Sequence, residues 1–181
     1  MQFFNQKIYN QLIIFSVCFF PFLAHAQNSE PRIDLTRGVS FEIAPHSGMM
    51  GSSGIFGLKL SMNYSSFNLE LAGEQVIGKT ANLYPISINA VLNLATKGAL
   101  IPYGIVGPGL FVTVPTNTVG DESVTTVGLN FGGGIRYYFN DSFGIRFEAK
   151  QYVTSVESER DLHEEILIFQ EFSLGATFLF Q

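Results

Sequence analysis

The chain has 181 residues with 15 acidic and 10 basic side chains, a formal net charge of −5 and a pI near 5.1. A field of that sign neutralises no phosphates, so the composition argues against a nucleic-acid partner. Hydrophobic residues make up 46% and charged residues 14%; past the first 25 residues, no apolar run approaches the roughly 20 that a membrane-spanning helix needs, leaving β-structure with its apolar residues spread over alternating positions.

Lys7 is the sole charge before Glu30, and the apolar stretch Leu12 to Leu23 follows it. As a helix that stretch covers about 18 Å at 1.5 Å per residue, short of a bilayer core. Ala24-His25-Ala26 then supplies a small-x-small cleavage pattern. The expectation is a signal peptide over 1–26, export to the cell outer membrane, and one domain over 27–181, with 27–36 as a periplasmic lead-in. The single cysteine, Cys18, lies inside the signal, so the mature chain has no thiol for a disulfide or a thiolate metal site.

Period-two alternation then dominates. Val39, Phe41 and Ile43 alternate with Ser40 and Glu42; Phe56, Leu58, Leu60, Met62 and Tyr64 with Lys59, Ser61 and Asn63; Phe67, Leu69 and Leu71 with Asn68 and Glu70. The pattern continues through Tyr84 to Leu94, Val127 to Phe139, Phe143 to Lys150 and Glu171 to Phe180. Tyr103 to Val114 forms one more segment, apolar or Gly on both faces, and its outward side is undetermined. Eight segments of about 9 to 12 residues predict an all-β fold, an eight-stranded antiparallel up-and-down transmembrane β-barrel. The connections read long (His46 to Gly54), short (Ser65-Ser66), long (Gln75 to Leu83), short (Ala95 to Ala99), long (Pro115 to Val124), short (Asn140-Asp141) and long (Val153 to Leu167). Long loops outside and tight turns inside fit a barrel with both termini in the periplasm.

The polar face carries Glu42, Lys59, Glu70, Glu74, Arg136, Arg146, Glu148, Lys150 and Glu171, five acids against four bases. Side chains fill the interior of an eight-stranded barrel, and unpaired charge there is costly. The near balance therefore predicts a packed lumenal ion-pair network and disfavours a conducting pore. Tyr64, Phe67, Tyr84, Tyr103, Tyr137, Tyr138, Phe139, Phe143 and Phe180 lie at strand ends, as interfacial girdles require.

Asn130 to Lys150 resembles the penultimate hairpin of the small OmpA/OmpX-like outer-membrane β-barrel families, and Ile101-Pro102-Tyr103-Gly104 with Gly107 and Gly109 resembles their fifth strand. Phe172, Leu174, Ala176, Phe178 and Phe180 are similar to the C-terminal signal strand, which implies the barrel-assembly machinery as a partner beside outer-membrane lipids and lipopolysaccharide. Gln181 departs from the pattern by following the terminal aromatic.

Sites of chemistry are scarce. Gly132-Gly133-Gly134 sits between strand segments, whereas a phosphate loop needs a helix after it. Glu157, Glu159, Asp161, Glu164 and Glu165 could hold Ca²⁺ or Mg²⁺, but with no Asx-Gly ligand loop a solvated acidic loop is favoured. No catalytic residue or cofactor is expected. His46 and His163, the remaining histidines, fall in expected loops, and the His/Ser pairing of lipid A deacylases is missing. The sequence thus favours a non-enzymatic barrel acting through its outer loops, over a lipid-modifying enzyme or a narrow solute channel.

Overall fold

The computed structural model describes residues 33–78, 80–115, 123–157 and 164–181. The expected signal peptide, His163, Glu159 and Asp161 lie outside them. Eight strands follow: β1 (Val39–Met50), β2 (Ser53–Tyr64), β3 (Phe67–Ile77), β4 (Ala81–Asn93), β5 (Leu100–Pro115), β6 (Val124–Tyr138), β7 (Phe143–Glu157) and β8 (Glu164–Phe180). Each pairs antiparallel with the next, and β8 closes on β1 from Phe41↔Phe180 to Met50↔Glu171, giving a closed up-and-down barrel.

The strands form because alternate positions meet opposite surroundings. Leu58, Leu60 and Met62 of β2 point outward and are exposed, while Lys59, Ser61 and Asn63 between them are buried. The same alternation runs round the wall, and it settles β5: Tyr103, Ile105 and Phe111 point inward, Val106 and Leu110 outward.

Three connections differ from the sequence reading. The expected loop from His46 to Gly54 is strand almost throughout; β1 and β2 are joined at Gly51-Ser52, with Gly51 at φ 59°, a left-handed value suited to glycine. The expected loop from Gln75 to Leu83 shrinks likewise, since β3 runs to Ile77 and β4 starts at Ala81. Pro45 and Ser47 face outward and Gly48 inward on this part of β1, so the apolar-outward pattern lapses before the strand does. At the last long connection, β7 runs on to Glu157 and β8 starts at Glu164 rather than after Leu167, and residues 164–170 extend beyond the last pair with β1.

Apolar clusters close both ends of the lumen. At the end where the described chain begins and ends, here the terminal end, Ile33 and Leu35 pack beneath Ile101, Tyr138 and Leu179. Backbone bonds hold this strap: Leu35 N–H donates to Thr96 O (2.9 Å), Gly98 N–H to Ile33 O (3.0 Å) and Ser65 N–H to Leu35 O (3.2 Å). At the distal end Met50, Ile55, Val76, Phe111 and Tyr152 form a second cluster, with Leu83 and Phe169 against it.

Candidate functional site: a charge network enclosed by the barrel

Between the two apolar layers lie nine buried charged side chains: Glu42, Lys59, Glu70, Glu74, Arg136, Arg146, Glu148, Lys150 and Glu171. Glu148 on β7 is the hub. Its Oε1 accepts from Lys59 Nζ (2.5 Å) and lies 3.5 Å from Lys150 Nζ, while its Oε2 accepts from Arg146 (2.5 Å) and Tyr103 Oη (2.7 Å). Toward the terminal end, Arg146 reaches Glu70 (2.7 Å) and Glu42 (3.4 Å), and Arg136 Nε lies 3.3 Å from Glu42. Toward the distal end, Lys150 sits between Glu74 (3.0 Å) and Glu171 (3.2 Å), and Tyr152 Oη donates to Glu74 (2.9 Å).

Neutral groups complete the network. Arg136 donates to Asn93 Oδ1 (2.9 Å), Ser61 Oγ and Asn89 Nδ2 both donate to Glu70 (3.2 Å each), and Asn130 Nδ2 donates to Asn89 Oδ1 (2.9 Å). The Tyr103 ring lies between two guanidiniums, 4.4 Å from Arg136 and 4.9 Å from Arg146, in cation–π geometry. Gly134, its cross-strand partner on β6, makes this possible: a Cβ there would overlap the Tyr103 ring. Gly134 is thus a packing feature next to an aromatic side chain, and Gly132 one against the β7 backbone at Ala149 and Lys150.

Outside, the wall is apolar. Leu58, Leu60, Leu69, Ile88, Leu129, Phe147 and Leu174 are exposed. Tyr64, Phe67, Tyr137, Phe139, Phe143 and Phe180 are exposed around the terminal end, with Tyr137, Phe139, Phe143 and Phe178 in a chain of ring contacts. Tyr103 and Tyr138, read from sequence as girdle residues, point into the lumen instead, at 1% and 0% exposure. Both lie near strand ends, where a girdle residue and an inward one look the same locally.

The profile of the outer membrane protein beta-barrel domain matches residues 22–180. The chain belongs to that family. Its polypeptide therefore lies in the outer membrane, with the apolar wall against lipid and charge inside. Among solved structures it is similar to the N-terminal beta-barrel domain of Pseudomonas aeruginosa OprF (19% identity, TM-score 0.63, 78% of this chain and 97% of that one). It is similar too to Neisserial surface protein A (13%, 0.59, 77% and 94%) and to the outer membrane protein OprG of Pseudomonas aeruginosa (13%, 0.54, 84% and 100%). These likenesses are of fold. No curated protein matches the sequence.

Sequence reasoning misplaced His46. It lies not in a loop but in β1, buried at 7% exposure, with Nε2 3.2 Å from Glu74 Oε1. Glu74, Glu171 and His46 approach within 4.8 Å of one another, and the cation held between the two carboxylates is the Lys150 ammonium. A divalent ion would have to displace that lysine in a lumen with apolar layers at both ends. Of the acidic candidates of the last connection, Glu157 belongs to β7 and Glu164 and Glu165 to β8, with Glu157↔Glu164 and Val156↔Glu165 in register.

At the terminal end Asp34 organises the strap. It accepts from Thr36 N–H (3.0 Å) and Thr36 Oγ1 (2.5 Å), and it pairs with Lys97 (3.2 Å) and Arg37 (3.5 Å). The Thr36 hydroxyl, then the Thr36 backbone N–H and the Lys97 ammonium, hold its carboxyl down to about 2 against a smaller upward push from burial.

Proposed function

We propose that this family member is a non-enzymatic, non-conducting barrel, and that its extracellular connections make envelope-structural or surface contacts. One observation carries the reading: Glu148, bound at once by Lys59, Arg146 and Tyr103, knots the lumen together between two apolar layers. Ions crossing would have to break several short charge-assisted bonds and pass Phe111, Met50 and Leu35, at a cost far above a conducting pathway. The lumen then serves as scaffold, and contact with lipopolysaccharide or outside partners falls to the distal connections. His46 faces the lumen rather than the membrane, where an acyl substrate would lie, which disfavours lipid-modifying chemistry.

Planar-bilayer recording tests the closed lumen: no discrete conductance is expected, and reproducible unit steps would overturn it. If His46 were catalytic toward lipid, His46→Ala would change the lipid A profile; no change is expected. The terminal strand is proposed to address the chain to the barrel-assembly machinery, so Phe180→Ala should lower accumulation in the outer membrane. Equal accumulation would remove that role.

A further inference from the structure

The strap of residues 33–37 docks on a surface that the assembled barrel alone provides. Its apolar side chains, Ile33 and Leu35, are 1% and 2% exposed and meet Ile101 of β5, Tyr138 of β6 and Leu179 of β8. Its backbone bonds go to two different turns, β2–β3 through Ser65 and β4–β5 through Thr96 and Gly98. Asp34 stands opposite Lys97 in an isolated antiparallel bridge and pairs with its ammonium at 3.2 Å. Leu179 lies near the end of the last strand, so its contact with Leu35 closes a loop of nearly the whole described chain.

The order of events follows from those partners. Before the strands have assembled, bringing Leu35 to Leu179 costs loop-closure entropy while the surface that would receive the strap does not exist. Once β8 has met β1, the surface is complete. Undocking, by contrast, leaves the wall intact. The Ser65 and Gly98 N–H groups and the Thr96 carbonyl belong to turns on the aqueous side and are solvated when the strap leaves. Gly38 joins the strap to β1 at φ 134°, a conformation that glycine adopts without strain. The pairing of β1 with β2 starts one residue later, at Val39↔Tyr64, so the strap can swing without disturbing the register.

We infer that the strap is a latch set after the barrel closes: it governs escape from the folded state and leaves the rate of assembly unchanged. Contacts that the folding transition state lacks act on unfolding alone. Docked, the strap covers the terminal end of the charge network, where Tyr138 Oη donates to Glu42 and Arg136 donates to Asn93. Released, it uncovers that end to water, and the strands separate from there.

Ile33→Ser with Leu35→Ser removes the apolar grip and keeps the charges. Urea jumps on protein reconstituted in phospholipid vesicles, followed by far-ultraviolet circular dichroism, read both rates. Unfolding should quicken roughly tenfold or more while refolding stays within about twofold of wild type. Unchanged unfolding would overturn the inference, and so would slower refolding, which would make the strap a template for assembly. A disulfide keeps the question answerable if that variant does not fold. The bonds from Leu35 N–H to Thr96 O and from Gly98 N–H to Ile33 O flank the Asp34↔Lys97 bridge. This is the non-hydrogen-bonded kind of pair, with Cα atoms about 4.5 Å apart, inside the range that a disulfide spans. In a variant with Cys18→Ala, Asp34→Cys and Lys97→Cys, the oxidised protein should unfold roughly tenfold more slowly than the reduced and refold at a similar rate. Equal unfolding of the two forms, or faster refolding of the oxidised one, would also refute the latch.

Discussion

Removing Arg146 isolates what the network contributes. Its guanidinium touches three carboxylates, Glu148 at 2.5 Å, Glu70 at 2.7 Å and Glu42 at 3.4 Å, and it donates to Tyr103 Oη at 2.7 Å. Arg146→Met keeps an unbranched apolar stem and deletes the guanidinium with its charge. Breaking a buried pair by removing one partner costs about 3–5 kcal/mol, because the surviving charge is stranded. Three acceptors lose a partner here, but Glu148 keeps Lys59 and Tyr103, Glu70 keeps Ser61 and Asn89, and Glu42 keeps Arg136. The loss should therefore stay near that range rather than triple it, a shift of roughly a hundredfold or more in the folding equilibrium. The chain contains no tryptophan, so unfolding in detergent is best followed by far-ultraviolet circular dichroism and by the mobility of unboiled protein on gels. Arg37→Met is the control: Arg37 is 79% exposed and pairs with Asp34 at 3.5 Å, and an exposed pair contributes about 0–1 kcal/mol. If Arg146→Met unfolds at the same denaturant concentration as that control, the lumenal pairs are not holding the barrel together.

Two further outcomes follow. Gly134→Leu places a branched side chain where the Tyr103 ring sits between its two guanidiniums; overpacking of this kind costs about 1–3 kcal/mol, and a double variant with Tyr103→Ala should regain part of it in the same unfolding assay. Asp34 supplies a pH test at the terminal end. Its folded value, about 2, lies below the ordinary 3.8, so its contribution is present above the ordinary value and is lost as pH falls from about 3.8 toward about 2. Amide-exchange protection of Gly98 and Leu35, corrected for intrinsic rate, should decline over that window in wild type and be low and level in Asp34→Asn.

The wall was legible in sequence because lipid and lumen impose opposite chemistry on adjacent residues, and a period of two records this directly. β5 resisted because its inward residues Ile101, Ile105 and Phe111 belong to apolar clusters inside the barrel, which makes both of its faces apolar. The distal half of β1 was lost for the converse reason: outward Pro45 and Ser47 carry no apolar signal, so His46 passed for a loop residue. The nine charges could be read from their positions alone, but their partners could not. Lys59 meets Glu148 across 89 positions of chain, and Tyr138 meets Glu42 across 96. Tyr103 depends on the glycine opposite it across the β5–β6 ladder, a relation that no local pattern contains.

A buried network this extensive is not the cheapest way to fill a barrel, since apolar residues of similar volume are often as stable or more so. Register explains its use better than stability does. A slip of one residue exchanges the two faces of a strand. In water that exchange exposes the core and is heavily penalised, but against lipid an apolar lumen and an apolar wall would be nearly interchangeable. Charges on β1, β2, β3, β6, β7 and β8 remove the degeneracy, because any slip turns Glu42, Lys59 or Arg146 out into hydrocarbon. β4 and β5 carry no lumenal charge; Asn89 and Asn93 on one and Tyr103 on the other tie them to charged neighbours. Replacing all nine charged residues by Met and Leu should then cost the barrel its uniqueness before its stability. The expected result is a protein that still resists denaturant but gives several sets of amide resonances in micelles. A single sharp set from that variant would mean that turns and glycines alone fix the register, and the charges would need another reason to be there.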